Sequence, residues 1–176
     1  AVIGAADAVK AEAILPIMEK YLENPKDRGL SEEQYDHVRL GAVVCIGATA
    51  QHLDPSNPKV VSIVKTLLEV LMTPSEVVQR SVSDRLPPLV KSLLGINKEF
   101  VEETVAALLE TCLTGETYGD RRGAAYGLSG CVKGLGLSSL KSFGIMEALK
   151  GGVENKKDTN AREGALLAFE CLSSKL

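Results

Sequence analysis

Between positions 60 and 71, apolar residues return every three or four places, at Val60, Val64, Leu67, Leu68 and Leu71, while Lys65 and Glu69 fall opposite. The same rhythm runs through Val101, Val105, Leu108, Leu109 and Cys112, set against Glu99, Glu102, Glu103 and Glu110. Ile14, Leu15, Met18 and Leu22 repeat it, with Pro16 early enough to bend the segment. Such spacing gathers side chains on one face of an α-helix, and nowhere does the chain alternate with the two-residue period of a half-buried strand. The breaks carry turn chemistry: Asn24-Pro25 through Ser31, Asp54-Pro55-Ser56-Asn57-Pro58, Gly115 to Gly119, and Gly151 to Asp158. Pro87-Pro88 is expected to kink a helix or end it near Asp84, because proline lacks the N–H that a helix interior needs. Gly144 interrupts the run from Ser138 to Lys150, so the helix predicted there is the least regular.

A second regularity lies above the helices. Val38-Arg39-Leu40-Gly41-Ala42, Val78-Gln79-Arg80-Ser81-Val82, Asp120-Arg121-Arg122-Gly123-Ala124 and Ala161-Arg162-Glu163-Gly164-Ala165 align. Their second positions, 39, 79, 121 and 162, are 40, 42 and 41 residues apart. Repeats of this length built from helix pairs belong to the HEAT and armadillo class. One pair cannot bury both of its apolar faces, but a row of pairs can, and it does so without closing a pocket. The expected fold is therefore all-α, a HEAT-type solenoid of about four antiparallel helix pairs. The approximate repeats are 1–54, 55–95, 96–136 and 137–176. The chain opens and closes inside helix-forming sequence, which predicts a stretch of a longer array.

Arg39, Gly41, Gly123 and Gly164 are repeat positions, and Gly127 and Gly130 extend a glycine stripe from Gly123. Glycine inside a helix costs about 1 kcal/mol relative to alanine, so the stripe predicts close approach by a neighbouring helix. The repeated arginines predict a ladder of charged hydrogen bonds between stacked repeats, with Asp36, Glu76, Asp120 and Asp158 as acidic neighbours.

Composition narrows the chemistry. With no Trp, three Phe and four Tyr, burial falls to Ala, Leu and Val. The net charge of −3 disfavours tight nucleic-acid binding by the whole chain. Charge is uneven, however: residues 1–117 hold 11 basic and 17 acidic side chains, a net of −6, and residues 118–176 hold 9 and 6, a net of +3. An anionic partner is thus expected at the C-terminal third, on a basic ridge of Arg121, Arg122, Lys133, Lys156, Lys157 and, less directly, Arg162. Cys45, Cys112, Cys131 and Cys171 form no CxxC pair and sit in apolar runs, as buried thiols of a reducing compartment do. With two histidines, no zinc site or catalytic triad takes shape. Gly134-Leu135-Gly136 lacks the Gly-Lys-Ser/Thr of a phosphate-binding loop. The longest apolar run, from Gly41 to Ala50, is half a membrane span. The expectation is a non-catalytic scaffold with no cofactor, no metal and no membrane contact.

Residues 118–136, YGDRRGAAYGLSGCVKGLG, make the reading more specific. Together with Asn160-Ala161-Arg162-Glu163-Gly164-Ala165-Leu166-Leu167-Ala168-Phe169-Glu170 and Ser83-Asp84-Arg85-Leu86-Pro87-Pro88-Leu89-Val90, this run resembles the general-control translational activator family. Members of that family are giant HEAT-repeat proteins that act on stalled ribosomes. The resemblance implies a cytoplasmic scaffold in the amino-acid starvation response. It also implies protein partners reached through the full-length protein: the ribosome, the kinase of initiation factor two alpha and an ABC-type ATPase. Direct RNA contact is expected to be weak, and no catalytic residue of the family exists to carry over. The alternative is a HEAT scaffold of another pathway, of the transport-receptor or phosphatase-scaffold type, which lacks the 118–136 run as a unit. A helical enzyme would need an enclosed polar pocket with a strongly perturbed carboxylate or histidine.

Overall fold

The computed structural model describes residues 8–22 and 29–175. The helices are α1 (Ala8–Glu19), α2 (Glu32–Ala50), α3 (Pro58–Val70), α4 (Glu76–Leu94), α5 (Lys98–Thr114), α6 (Tyr118–Leu135), α7 (Ser139–Ser142), α8 (Ile145–Glu154) and α9 (Thr159–Lys175). No strand occurs among the described residues. Each first helix packs on its second: α1 on α2, α3 on α4, α5 on α6 and α8 on α9. The second helices then pack in succession, α2 on α4, α4 on α6 and α6 on α9. This is an all-α HEAT-type solenoid. The polar loop expected from Asn24 lies largely outside the described residues.

Local sequence sets the helix starts. Ser31 and Gln34 cap α2 reciprocally, and Thr117 and Asp120 do the same for α6. The Asn57 side chain accepts from the Lys59 amide with Pro58 opening α3, and the Asn97 side chain accepts from the Phe100 amide at the start of α5. These caps satisfy amides that have no partner inside the helix. The predicted stripes then close a single core. Val60, Val64, Leu67, Leu71, Val101, Val105, Leu108 and Cys112 are buried within one cluster that runs from Leu15 to Leu172.

Two expected breaks are corrected. Pro87 and Pro88 lie inside α4, which continues to Leu94. A mid-helix proline costs about 3 kcal/mol and strips the carbonyl four residues back of its donor. Here that stretch is pressed against α6: a Cβ on Gly130 would sit 2.5 Å from the Ser83 carbonyl oxygen, and one on Gly134 would overlap that of Pro87. Close packing across α4 and α6 thus holds the helix through a sequence that disfavours it. Gly134, singled out for its glycine-rich surroundings, serves the same contact. Similarly, Gly151 and Gly152 belong to α8, and the break is confined to residues 155–158. Gly152 is buried where a Cβ would crowd Leu113 and Ala165, so here glycine permits helix contact and does not make a turn. Gly144 does separate α7 from α8, in the left-handed conformation at φ 66°.

Three cysteines, Cys112, Cys131 and Cys171, are buried; Cys45 is half-buried. Burial pushes the Cys131 thiol up to about 12, and desolvation also raises that of Cys112. Thiolate is the reactive form. A thiol-specific reagent at neutral pH is therefore expected to modify Cys45 first and the buried three after unfolding. Rapid native modification of all four would contradict this packing.

Candidate functional site

Arg39 lies about two turns into α2, whereas the aligned positions 79, 121 and 162 sit in the first turn of a second helix, directly beyond the end of the first. Gln79 is fully buried there. Its Nε2 donates to the carbonyls of Leu71 at 2.9 Å and Thr73 at 2.7 Å, which close α3, and to Gly119 at 2.9 Å, at the start of α6. Its Oε1 accepts from Arg122 Nε at 2.8 Å. One repeat later Arg121, 5% exposed, does the same work. Its Nη1 donates to the carbonyls of Gly115 at 2.8 Å and Glu116 at 3.1 Å, at the end of α5. Its Nε and Nη2 grip the Glu163 carboxylate of α9. Arg162 donates from Nη1 to the carbonyls of Asn155 at 2.6 Å and Asp158 at 3.3 Å. Arg39 pairs with Asp36 at 3.6 Å and lies over the Tyr35 ring.

A rule emerges. In the second and third repeats the aligned residue ties off the carbonyls of its own first helix and meets the residue one place further along in the next repeat, whereas Arg39 pairs within α2. Gln79 meets Arg122, and Arg121 meets Glu163. This settles why two cations stand where the helix macrodipole disfavours them. The carbonyl ends of the preceding helices, together with Glu76 and Glu163, supply the compensating charge.

A second cluster flanks Gln79. Tyr126 Oη donates to Glu76 Oε1 at 2.9 Å, and Arg80 Nη2 donates to the same oxygen at 2.8 Å. Arg122 lies 3.7 Å from Glu76 and stacks over Tyr118. The Tyr126 hydroxyl, then Arg122 and Arg80, hold the Glu76 carboxyl below its ordinary value of 4.5. A carboxyl depressed in the folded state stabilises above its unfolded pKa, and that stabilisation is lost as pH falls through the folded value. Stability should therefore decline below pH 4.5, and Tyr126→Phe should make the decline shallower. Denaturation midpoints between neutral and acid pH check this; an unchanged slope would remove Tyr126 as the cause.

The expected basic ridge does not assemble. Arg121 is buried, Arg122 is mostly covered at 16% side-chain exposure, and both are engaged between repeats. Lys133 is exposed in the last turn of α6, twelve residues or about 18 Å along the helix from Arg121. Lys156 and Lys157 are exposed in the α8–α9 loop beside Arg162, near the other end of α6. Sequence reasoning missed Gln79, Glu163 and the Glu76–Tyr126 pair. The available signal was a swap: Gln stands for Arg at 79 where Arg122 follows, and Glu163 follows Arg121. Among the described residues no group of three metal-ligating side chains comes together, and no helix is long and apolar enough to cross a membrane.

No known protein-family model matches the chain, and no solved structure matches it. Curated proteins do. Over 163 residues, 93% of this chain, it is 47% identical to Protein ILITYHIA of Arabidopsis thaliana. It is 44% identical over 164 residues to the human Stalled ribosome sensor GCN1. Over a stretch of equal length it is 33% identical to the eIF-2-alpha kinase activator GCN1 of Saccharomyces cerevisiae. The chain spans about 6% of the length of each of these relatives.

Proposed function

The chain belongs to the GCN1 family, and from that premise we propose that it is a non-catalytic scaffold segment of a ribosome-associated regulator of translation. The observation that carries this reading is the 44% identity, over 93% of the chain, to a protein named as a stalled ribosome sensor. The geometry agrees with a scaffold. Its most elaborate polar networks join one repeat to the next. In the full-length protein the segment sets the spacing of sites for the ribosome, the kinase of initiation factor two alpha and an ABC-type ATPase, in the cytoplasm during amino-acid starvation.

Its own contact with an anionic partner falls to the cations left outside the inter-repeat ladder. These are Lys156 and Lys157 at the α8–α9 loop and, separately, Lys133. The test is to make Lys156→Glu and Lys157→Glu together in the full-length protein and co-sediment it with ribosomes at two ionic strengths. Weakened association, most evident at low salt, is expected, because exposed charges are screened by added ions. Wild-type association at both salts would reduce the loop to solvated surface. If deleting residues 1–176 also leaves association and kinase activation unchanged, the scaffold reading fails.

A further inference from the structure

The loops that join one repeat to the next line one edge of the stack, at the C-terminal ends of α4 and α6. Each begins with a capping glycine followed by an aliphatic residue, Gly95-Ile96 after α4 and Gly136-Leu137 after α6. Ile96 is 55% exposed and Leu137 is 65% exposed. A lone exposed aliphatic is ordinary, but two at matched places in successive repeats form a surface feature. Neither exposure is owed to where the stack ends: α4 packs between α2 and α6, and α6 between α4 and α9, so both loops already have a repeat on either side. The first repeat lacks the feature, because Leu53 is buried and Asp54 and Pro55 follow it.

The same edge carries uncommitted cations. Lys91 and Lys133 are exposed in the last turns of α4 and α6. Lys91 lies eleven residues beyond Arg80 and Lys133 eleven beyond Arg122, so both continue, three turns on, the face that carries the Glu76–Tyr126 cluster. Lys141, four residues after Leu137, is exposed in α7. None of the three lysines has a carboxylate partner among the described residues, whereas Lys98 is taken by Glu102 at 3.1 Å. The exposed carboxylates of Glu99 and Glu147 belong to the other layer, in the first turns of α5 and α8. The helix macrodipole accounts for a lysine at each helix end, but not for the aliphatic residue that follows it.

We propose that this edge docks an acidic amphipathic helix of a partner protein across the tips of Ile96 and Leu137. Packed helices stand about 8–10 Å apart, and residues seven apart on one helix face are separated by about 10.5 Å. Two aliphatic side chains of the partner at that spacing meet the two tips, and carboxylates beside them meet Lys91 and Lys133. Asp54 closes the site at the first repeat, where a partner carboxylate would meet its own sign. Nucleic acid fits less well, because the tips bring no aromatic ring or guanidinium to stack on a base. The surface lies on the opposite edge of the stack from Lys156 and Lys157 and depends on no role in translation.

The probe is a fluorescent synthetic helix with two leucines seven residues apart among glutamates, titrated by anisotropy against the 176-residue chain. Saturable binding is expected at low salt, with amide shifts gathered at residues 91–98 and 133–141. Ile96→Ser with Leu137→Ser should weaken it by about tenfold. Lys91→Glu with Lys133→Glu should weaken it by a similar factor that shrinks as salt is added. All four side chains are exposed, so the variants are expected to melt as the parent does. No binding, binding that neither pair alters, or equal binding of a peptide with serines for the leucines would overturn the proposal. Tighter binding of a single-stranded oligonucleotide, lost in the same variants, would also overturn it and assign the edge to nucleic acid.

Discussion

Gly164→Ala is expected to destabilise the protein by about 3 kcal/mol, while Gly41→Ala should be neutral or stabilise it by up to about 1 kcal/mol. Both glycines stand in the same Arg-x-Gly-Ala motif, on a second helix, at helical backbone angles that alanine adopts freely. Propensity alone therefore favours alanine at both. Packing separates them. A Cβ on Gly164 would overlap the Cys112 carbonyl, which is backbone in the last turn of α5 and cannot rotate away. Relief requires α9 to move off α5, which opens the contacts of Ala165 and Ala168 in the core. A Cβ on Gly41 meets nothing within 4 Å. Gly123→Ala should follow Gly164, since its Cβ would overlap the Leu71 carbonyl. At Gly127 the nearest atoms are the ends of the Leu71 and Leu108 side chains, so alanine there should cost less than leucine. Urea midpoints of the single variants check the order. Equal effects at positions 41 and 164 would mean that the motif acts through helix propensity and not through contact between repeats.

That contrast marks the boundary of what the sequence makes legible. Helices and their pairing are legible because the apolar stripes at 60–71 and 101–112 and the 40–42-residue spacing are local or periodic signals. The burial of Arg121 is not, because it depends on Glu163, 42 residues away. Pro87-Pro88 reads as a kink or a stop because single-helix rules see missing hydrogen bonds; the helix does not stop there, and α6 packs its glycines against that stretch from another repeat. Gly151-Gly152 reads as a turn because composition cannot tell a flexible glycine from one that admits a neighbour. The charge asymmetry of residues 118–176 is real, but it describes composition. Folding commits Arg121 and Arg122 to the repeat junctions and leaves the lysines at opposite ends of the inner helices.

Gln79→Arg, which restores the residue found at 39, 121 and 162, is expected to cost about 2–3 kcal/mol by itself. Restoring the majority residue of a repeat is ordinarily a stabilising change. Here the new guanidinium would replace the amide oxygen that accepts from Arg122 Nε at 2.8 Å, and two cations would meet in a mostly covered site. Arg122→Glu alone should also destabilise, because it strips Glu76 of a cation 3.7 Å away and sets a second carboxylate beside it. Made together, the two changes recreate the Arg121–Glu163 pair one repeat earlier. The new arginine can reach the Leu71 and Thr73 carbonyls that Gln79 now holds, as Arg121 reaches those of Gly115 and Glu116. The double variant should therefore be more stable than the sum of the single effects by about 1–3 kcal/mol. Denaturation of all four proteins at low and high salt measures that coupling. Because the site is mostly covered, the coupling should survive added salt better than a surface pair would. Simple additivity would show that residues 79 and 122 do not recognise each other, and the register of the ladder would then have to be set by backbone contacts at Gly123 and Gly164.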